Sequence, residues 1–259
     1  MPRTLAQAAG LFRSAAGQLW QAGVDLALPP RCALCDCDID GRAIGLCPSC
    51  DAALAVRSPA TCLRCGMPVA PVGAAGNCRE CARRRFAFTR VCSIGVYEGS
   101  LAEAVVRAKT LRGEVVAAAL GRRLAQSVQT MMLAAPEAPP IDVVAAVPAH
   151  WLRKLHHGPP GAAVLAAACA KSLGLPLLID LLVATRNIRK QSQLRTYERR
   201  RNVRGAFRTT WGYAIRGVHA LLVDDVMTTG STAHEVASVL LQAGAAQVSV
   251  AVAGRAHGP

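Results

Sequence analysis

Two rhythms of apolar and polar positions run along the chain. Leu5, Ala8, Phe12, Ala15, Leu19, Ala22 and Leu26 recur at steps of three or four, the stripe of an amphipathic helix. Pro29-Pro30 ends it. Such a helix either docks on the body of the protein or lies on a membrane surface or a partner. Farther on, short apolar runs alternate with helix-length ones. Residues 91–97 predict a strand, Glu98-Gly99-Ser100 a turn, and 101–111 a helix ending near Arg112-Gly113. A second helix is expected over 114–132, then a proline-rich loop over 134–140 and a strand over 141–147. A helix over 161–173 stops at Gly174, and 177–182 forms a strand or short connection. An edge strand is expected at 207–211, a buried strand at 220–223, a helix over 233–242 closed by Gly244, and a last strand at 248–253. Strands alternating with helices predict an α/β fold, a parallel sheet with helices on both faces. The loop after residue 223 then lies at a strand's C-terminal end, where such sheets bind ligands.

Composition narrows the partners. The chain has 259 residues, 52% of them hydrophobic and only 4% aromatic, so alanine, valine and leucine must fill the core. A net charge of +14 favours anionic partners such as nucleotides, sugar phosphates or nucleic acid. No apolar core with a cleavage site marks the first residues, and no apolar run is long and charge-free enough to span a bilayer. The chain is therefore read as cytoplasmic, and its cysteines as metal ligands rather than disulfides.

Eight of the 11 cysteines form four Cys-x-x-Cys pairs: Cys32 with Cys35, Cys47 with Cys50, Cys62 with Cys65, and Cys78 with Cys81. Each pair offers two thiolates on one tight turn, and a tetrahedral zinc needs two such turns. The repeat predicts two structural zincs, with sequential and cross-braced pairings both open. Ribbons this small have little apolar core, so metal binding supplies their folding energy. Cys37 is read as a bystander beside the first site, and Cys92 and Cys169 as core residues. Arg83-Arg84-Arg85 with Phe86 and Phe88 follows as a basic joint, either a nucleic-acid contact or solvated arginines beside two anchoring aromatics.

The richest chemistry follows the strand at 220–223. Asp224 and Asp225 come first, then Val226, Met227, Thr228, Thr229, Gly230, Ser231 and Thr232, then a helix. Amides at a helix start favour an anion, glycine permits close approach, and four hydroxyls suit phosphate oxygens. The acids fit beside a phosphate if they accept hydrogen bonds from a sugar diol or hold a divalent metal. No P-loop lysine is present, which excludes a Walker A site.

This run, Leu222-Val-Asp-Asp-Val-Met-Thr-Thr-Gly-Ser-Thr232, resembles the phosphoribosyl pyrophosphate (PRPP) motif of type I phosphoribosyltransferases. The resemblance implies that the acids bind the ribose hydroxyls and the loop binds the 5′-phosphate. Other stretches are similar to the ComF competence-protein family: Tyr97-Glu-Gly-Ser-Leu101 with Ala108-Lys109, Val147-Pro148 followed by Arg153, Gln191-Ser-Gln-Leu194, and the run from Glu198 to Phe207. A double zinc ribbon ahead of a phosphoribosyltransferase-like domain is that family's architecture. The expected layout is a helix over 1–30, the ribbons over 31–88 and the transferase-like domain over 89–259. The family's usual Arg-Gly-Phe-Asn-Gln is replaced by His157-Gly158-Pro159-Pro160-Gly161, which removes polar donors where pyrophosphate is expected. His156 and His157 are partial substitutes.

The resemblance implies pentosyl transfer from PRPP with Mg²⁺. Asp224, Asp225 and Lys109 are the expected catalytic residues, and Gln191, Arg199 and Asn202 join the loop in binding substrate. It also implies a role in natural competence, handling imported single-stranded DNA beside a helicase-like partner. A non-catalytic accessory protein of DNA uptake and an enzyme of salvage or repair are the other readings. Arg186, Arg189, Lys190, Arg195, Arg199, Arg200, Arg201 and Arg204 form a basic segment that closes over a polyanion, lies along nucleic acid, or is a solvated helix.

Overall fold

The computed structural model describes residues 30–39, 45–54, 61–69, 78, 81–82, 84–110, 113–148, 161–186 and 201–256. The helix expected within residues 1–29 lies outside them. In chain order the elements are α1 (Pro48–Leu54), β1 (Arg90–Val96), α2 (Gly99–Arg107), α3 (Glu114–Leu133), β2 (Val143–Ala146), α4 (Gly161–Leu173), β3 (Leu182–Ala184), β4 (Phe207–Thr209), β5 (His219–Met227), α5 (Ser231–Gln242) and β6 (Gln247–Arg255). No helix among the described residues is long and apolar enough to cross a membrane.

β1, β6, β5 and β2 make one sheet in that order, parallel at every pairing. Val91 and Leu222 both lie opposite Val250, and Val144 lies opposite Leu221. Successive strand residues point to opposite faces, and the core divides accordingly. Val144, Leu221, Val223, Ala251 and Ala253 pack with Leu101, Leu120, Leu124 and Leu165 of α2 to α4. Ala145, Ala220, Leu222, Val250 and Val252 pack with Val236, Ala237 and Leu240 of α5. Both faces are covered, which is why the strands read as unbroken apolar runs. A methyl group at Gly121 would stand 2.6 Å from both Ala168 Cβ and Leu165 O, so the glycine lets α3 and α4 touch.

Three expectations need correction. The strand expected at 220–223 runs on to Met227, because the ladder to β6 continues through Asp224 opposite Val252 and Val226 opposite Gly254. The acids are therefore strand residues. The helix expected to reach residue 111 ends at Arg107, whose carbonyl accepts from the Thr110 hydroxyl at 2.8 Å. The expected edge strand shrinks to β4, which pairs antiparallel with β3 in a separate sheet. Trp211 falls outside it and is 95% exposed. The strand or short connection expected at 177–182 contributes one bridge, Leu177 to Val144, and β3 begins only at Leu182.

Candidate functional site

The two ribbons repeat the same backbone plan. Arg31 bridges to Asp38, and Thr61 to Pro68. Cys32 N donates to Cys37 O, and Cys62 N to Met67 O, both at 2.8 Å. Asp36 (φ 59°) and Gly66 (φ 69°) take the left-handed turn around the metal position. The sulphurs gather in chain order: those of Cys32, Cys35, Cys47 and Cys50 lie within 4.8 Å of one another, and so do those of Cys62, Cys65, Cys78 and Cys81. Tetrahedral zinc with Zn–S near 2.3 Å places its sulphurs about 3.8 Å apart. Cys35 to Cys47 spans 3.7 Å, Cys62 to Cys81 3.8 Å and Cys65 to Cys78 3.5 Å. The amides of Leu34 and Cys47 donate to Cys32 Sγ. The Ser49 hydroxyl, helped by the Cys50 amide, pulls the Cys47 thiol down to about 5. These donor sets fit structural zinc. Cys37 Sγ lies 3.3 Å from Cys35 Sγ and outside the group of four.

The ribbons are fastened to the sheet and its helices. Cys32, Leu46, Cys47 and Leu54 enter the apolar layer of α2 to α4. Arg123 Nε donates to Asp51 Oδ1 at 3.0 Å. Arg107 Nη1 donates to Ala33 O and Leu34 O at 2.8 and 2.9 Å, inside the first knuckle.

Asp224 and Asp225 occupy the C-terminal part of β5, both half-buried. Asp224 Oδ1 accepts from the Asp225 amide at 2.8 Å. Lys109, released by the early end of α2, places Nζ 2.7 Å from Asp225 Oδ2. The resemblance had suggested both residues separately, and the fold brings them together across 116 positions. Gly161, which opens α4, stands beside them. A methyl group there would lie 3.4 Å from Ala108 O and 3.7 Å from Lys109 Cγ. The stretch 149–160 lies outside the described residues.

The hydroxyl-rich loop follows. Thr229 Oγ1 and Ser231 Oγ are 2.9 Å apart. Gly230 caps α5 in the left-handed conformation, φ 73°, and no side chain caps the helix at that residue. The Ser231 amide donates to Thr229 Oγ1 at 3.4 Å; first-turn amides have no intrahelical partners, and a helix start of this kind suits an anion. Val226 packs against the α2 to α4 layer, and Met227 is buried in the opposite one. Asn202 is half-buried in the helical residues 201–203; Gln191 and Arg199 lie outside the described residues.

Other residues that hold the loop were not singled out for that role from sequence. Arg84 Nη1 donates to Thr229 O at 3.2 Å. Phe86 and Phe88 stack with centroids 4.7 Å apart. A methyl group at Gly230 would meet Phe86 Cε1 at 3.2 Å and Phe88 Cζ at 3.6 Å. Phe88 is 1% exposed, so it is an anchor and not a platform for a base. Arg255, buried at the end of β6, donates from Nη1 to Met227 O at 2.9 Å and also to Thr228 O. No motif in the sequence marks Arg255.

Comparison with known proteins gives these features a lineage. Residues 23–93 match the double zinc ribbon domain family. The chain is 32% identical over 234 residues to the DNA utilization protein YhgH of Salmonella typhi, covering 87% of this chain and 96% of that protein. The chain belongs to the ComF family. Another relative is competence protein F of Haemophilus influenzae, 27% identical over 227 residues, covering 85% of this chain and 94% of that protein. Among solved structures, the glutamine PRPP amidotransferase of B. subtilis, complexed with ADP and GMP, is 23% identical, covering 57% of this chain and 30% of that one. Its TM-score of 0.36 is too low to bear on the site. This ComF-family chain therefore joins a double zinc ribbon to a parallel sheet with helices on both faces.

Proposed function

We propose that the end of β5 and the loop after it bind the ribose and 5′-phosphate of PRPP or of a ribose nucleotide. The observation that supports this most is one convergence. A carboxylate pair, an ammonium group and the glycine-led start of a helix meet at the C-terminal edge of a parallel sheet. Asp224 and Asp225 accept hydrogen bonds from the sugar diol. The amides and hydroxyls of residues 228–232 hold the phosphate. Lys109 neutralises Asp225 in the free protein and turns toward the anionic leaving group when ligand arrives.

In the enzymatic form of this reading, an acceptor nitrogen forms a bond to C1 as the C1–oxygen bond to pyrophosphate breaks. The carboxylates stabilise the positive charge that develops on the sugar. Mg²⁺ carried with PRPP neutralises pyrophosphate charge. The test is calorimetric titration with PRPP, ribose 5-phosphate and pyrophosphate in turn, followed by an acceptor screen for released pyrophosphate. PRPP binding that ribose 5-phosphate competes away supports the reading; binding of pyrophosphate alone contradicts it.

A second reading, an accessory role in handling single-stranded DNA, has its own support. The relatives carry the names DNA utilization protein and competence protein F. Trp211 and Tyr213 are exposed in a turn flanked by exposed Arg208 and Arg216. Such a surface suits base stacking and phosphate contact. Salt-dependent affinity for single strands that falls in Trp211→Ala supports it. Affinity unchanged by the substitution removes Trp211 from the account.

A further inference from the structure

Arg255 is buried, only 3% exposed. It donates to main-chain carbonyls of two distant segments. Nε donates to Cys65 O at 2.9 Å, within the second zinc knuckle. Nη1 donates to Met227 O and Thr228 O, the entrance to the hydroxyl loop, and to Ala256 O at 2.7 Å. The knuckle is pressed against the same place from outside. Val91 N donates to Leu63 O at 2.9 Å. A methyl group at Gly66 would lie 2.9 Å from Val91 Cγ1 and 3.5 Å from Arg255 Cδ. One planar, rigid fork thus spans from the metal turn to the loop.

We propose that Arg255 is a positioning residue for the phosphate loop, and that the second zinc knuckle sets it in place. Zinc at Cys62, Cys65, Cys78 and Cys81 and ligand at residues 228–232 then strengthen each other's binding. The electrostatics favour this. Four thiolates around Zn²⁺ leave net negative charge on the cluster. A buried cation beside it is stabilised, and its donors stay directed at the two carbonyl groups. Loss of the zinc frees the knuckle, Cys65 O leaves Nε, and the fork no longer fixes Met227 O and Thr228 O. The first knuckle is also fastened by an arginine, Arg107, but to α2 and not to the loop.

The inference rests on the proposed reading of the loop, and linkage supplies a test that separates the two. Coupling is reciprocal, so ligand must retain zinc by the factor with which zinc retains ligand. Partition of zinc between the full-length, zinc-loaded protein and a chromogenic chelator is measured at equilibrium with and without PRPP and Mg²⁺. PRPP is expected to tighten the affinity for one of the two zincs by roughly 5-fold or more, within the usual range of such coupling. Cys62→Ser, which keeps only the first zinc, is expected to lose the effect. Arg255→Met is expected to lose it too, with Arg255→Lys partly restoring it. Arg123→Leu, which alters a fastening of the first ribbon, keeps it. PRPP that binds the wild-type protein and leaves both zinc affinities unchanged, or tightens both equally, overturns the inference and spares the site. A wild-type protein that does not bind PRPP at all removes the site, and the inference with it. The wild-type measurement decides even if an Arg255 variant does not fold.

Discussion

Replacing Gly230 with alanine places a methyl group where the chain has two reasons to exclude one. The backbone sits at φ 73°, a left-handed conformation that costs an L-residue about 1–2 kcal/mol. The new Cβ would also stand 3.2 Å from Phe86 Cε1 and 3.6 Å from Phe88 Cζ and Met227 Cε. Moving the stacked phenylalanines aside adds roughly 1–2 kcal/mol of overpacking. Gly217 supplies the control. Its φ is 77°, but a methyl group there meets nothing within 4 Å. Gly217→Ala should therefore lose only the conformational part. At about 2–4 °C per kcal/mol for a chain of this size, Gly230→Ala should melt roughly 5–15 °C low. Gly217→Ala should fall between it and the wild type. A thermal melt of the three zinc-loaded proteins reads this directly. Gly230→Ala should also bind PRPP about tenfold more weakly or worse, since loop amides displaced by about 1.4 kcal/mol of interaction have that effect. Gly217→Ala should bind like wild type. Equal destabilisation of the two variants, or wild-type affinity in Gly230→Ala, refutes the packing argument.

Three further outcomes are expected. Elemental analysis should find about two zincs per chain, and about one in Cys62→Ser; a folded, metal-free protein contradicts the ribbon geometry. His219, 4% exposed, has Nδ1 2.9 Å from Pro139 O and Nε2 2.9 Å from Ser249 Oγ. His219→Ala leaves buried polar groups without partners and should destabilise the protein by about 2–4 kcal/mol in urea, with no change in PRPP affinity. Burial pushes the Cys169 thiol up to about 12, so it stays protonated through pH 9 and should resist alkylation until the protein is unfolded. Fast labelling of Cys169 in the native state would contradict its place in the core.

The parts that local pattern controls were legible in the chain. The order of helices and strands, the four metal turns and the run from the acids into the loop all carry their signal within a few neighbouring residues. The structure keeps α4 at residues 161–173 as expected. Boundaries set by partners were less visible. Asp224 and Asp225 belong to β5 because β6 continues beside them, although aspartate is depleted in strands. Lys109 was approached through resemblance, but nothing local says that it reaches Asp225. Arg255 was invisible. It ends an apolar strand like any terminal arginine, and only the neighbouring positions of β5, β6 and the second knuckle give it four carbonyls to hold. The joint at 84–88 was half legible: its aromatics are anchors, and what the joint holds is the loop, 145 residues on from Arg84.

The most direct test of the account is calorimetric titration of the zinc-loaded protein with PRPP and Mg²⁺, beside the variant carrying Asp224→Asn and Asp225→Asn together. Both substitutions keep the side chain's shape, but they remove its charge and turn one acceptor oxygen of each carboxylate into an NH2 donor. The account predicts binding to the wild type, none to the double variant, and unchanged zinc content and fold in both. Equal affinity in the two proteins, or no binding to a folded wild type, would contradict the claim that this strand end holds a ribose phosphate.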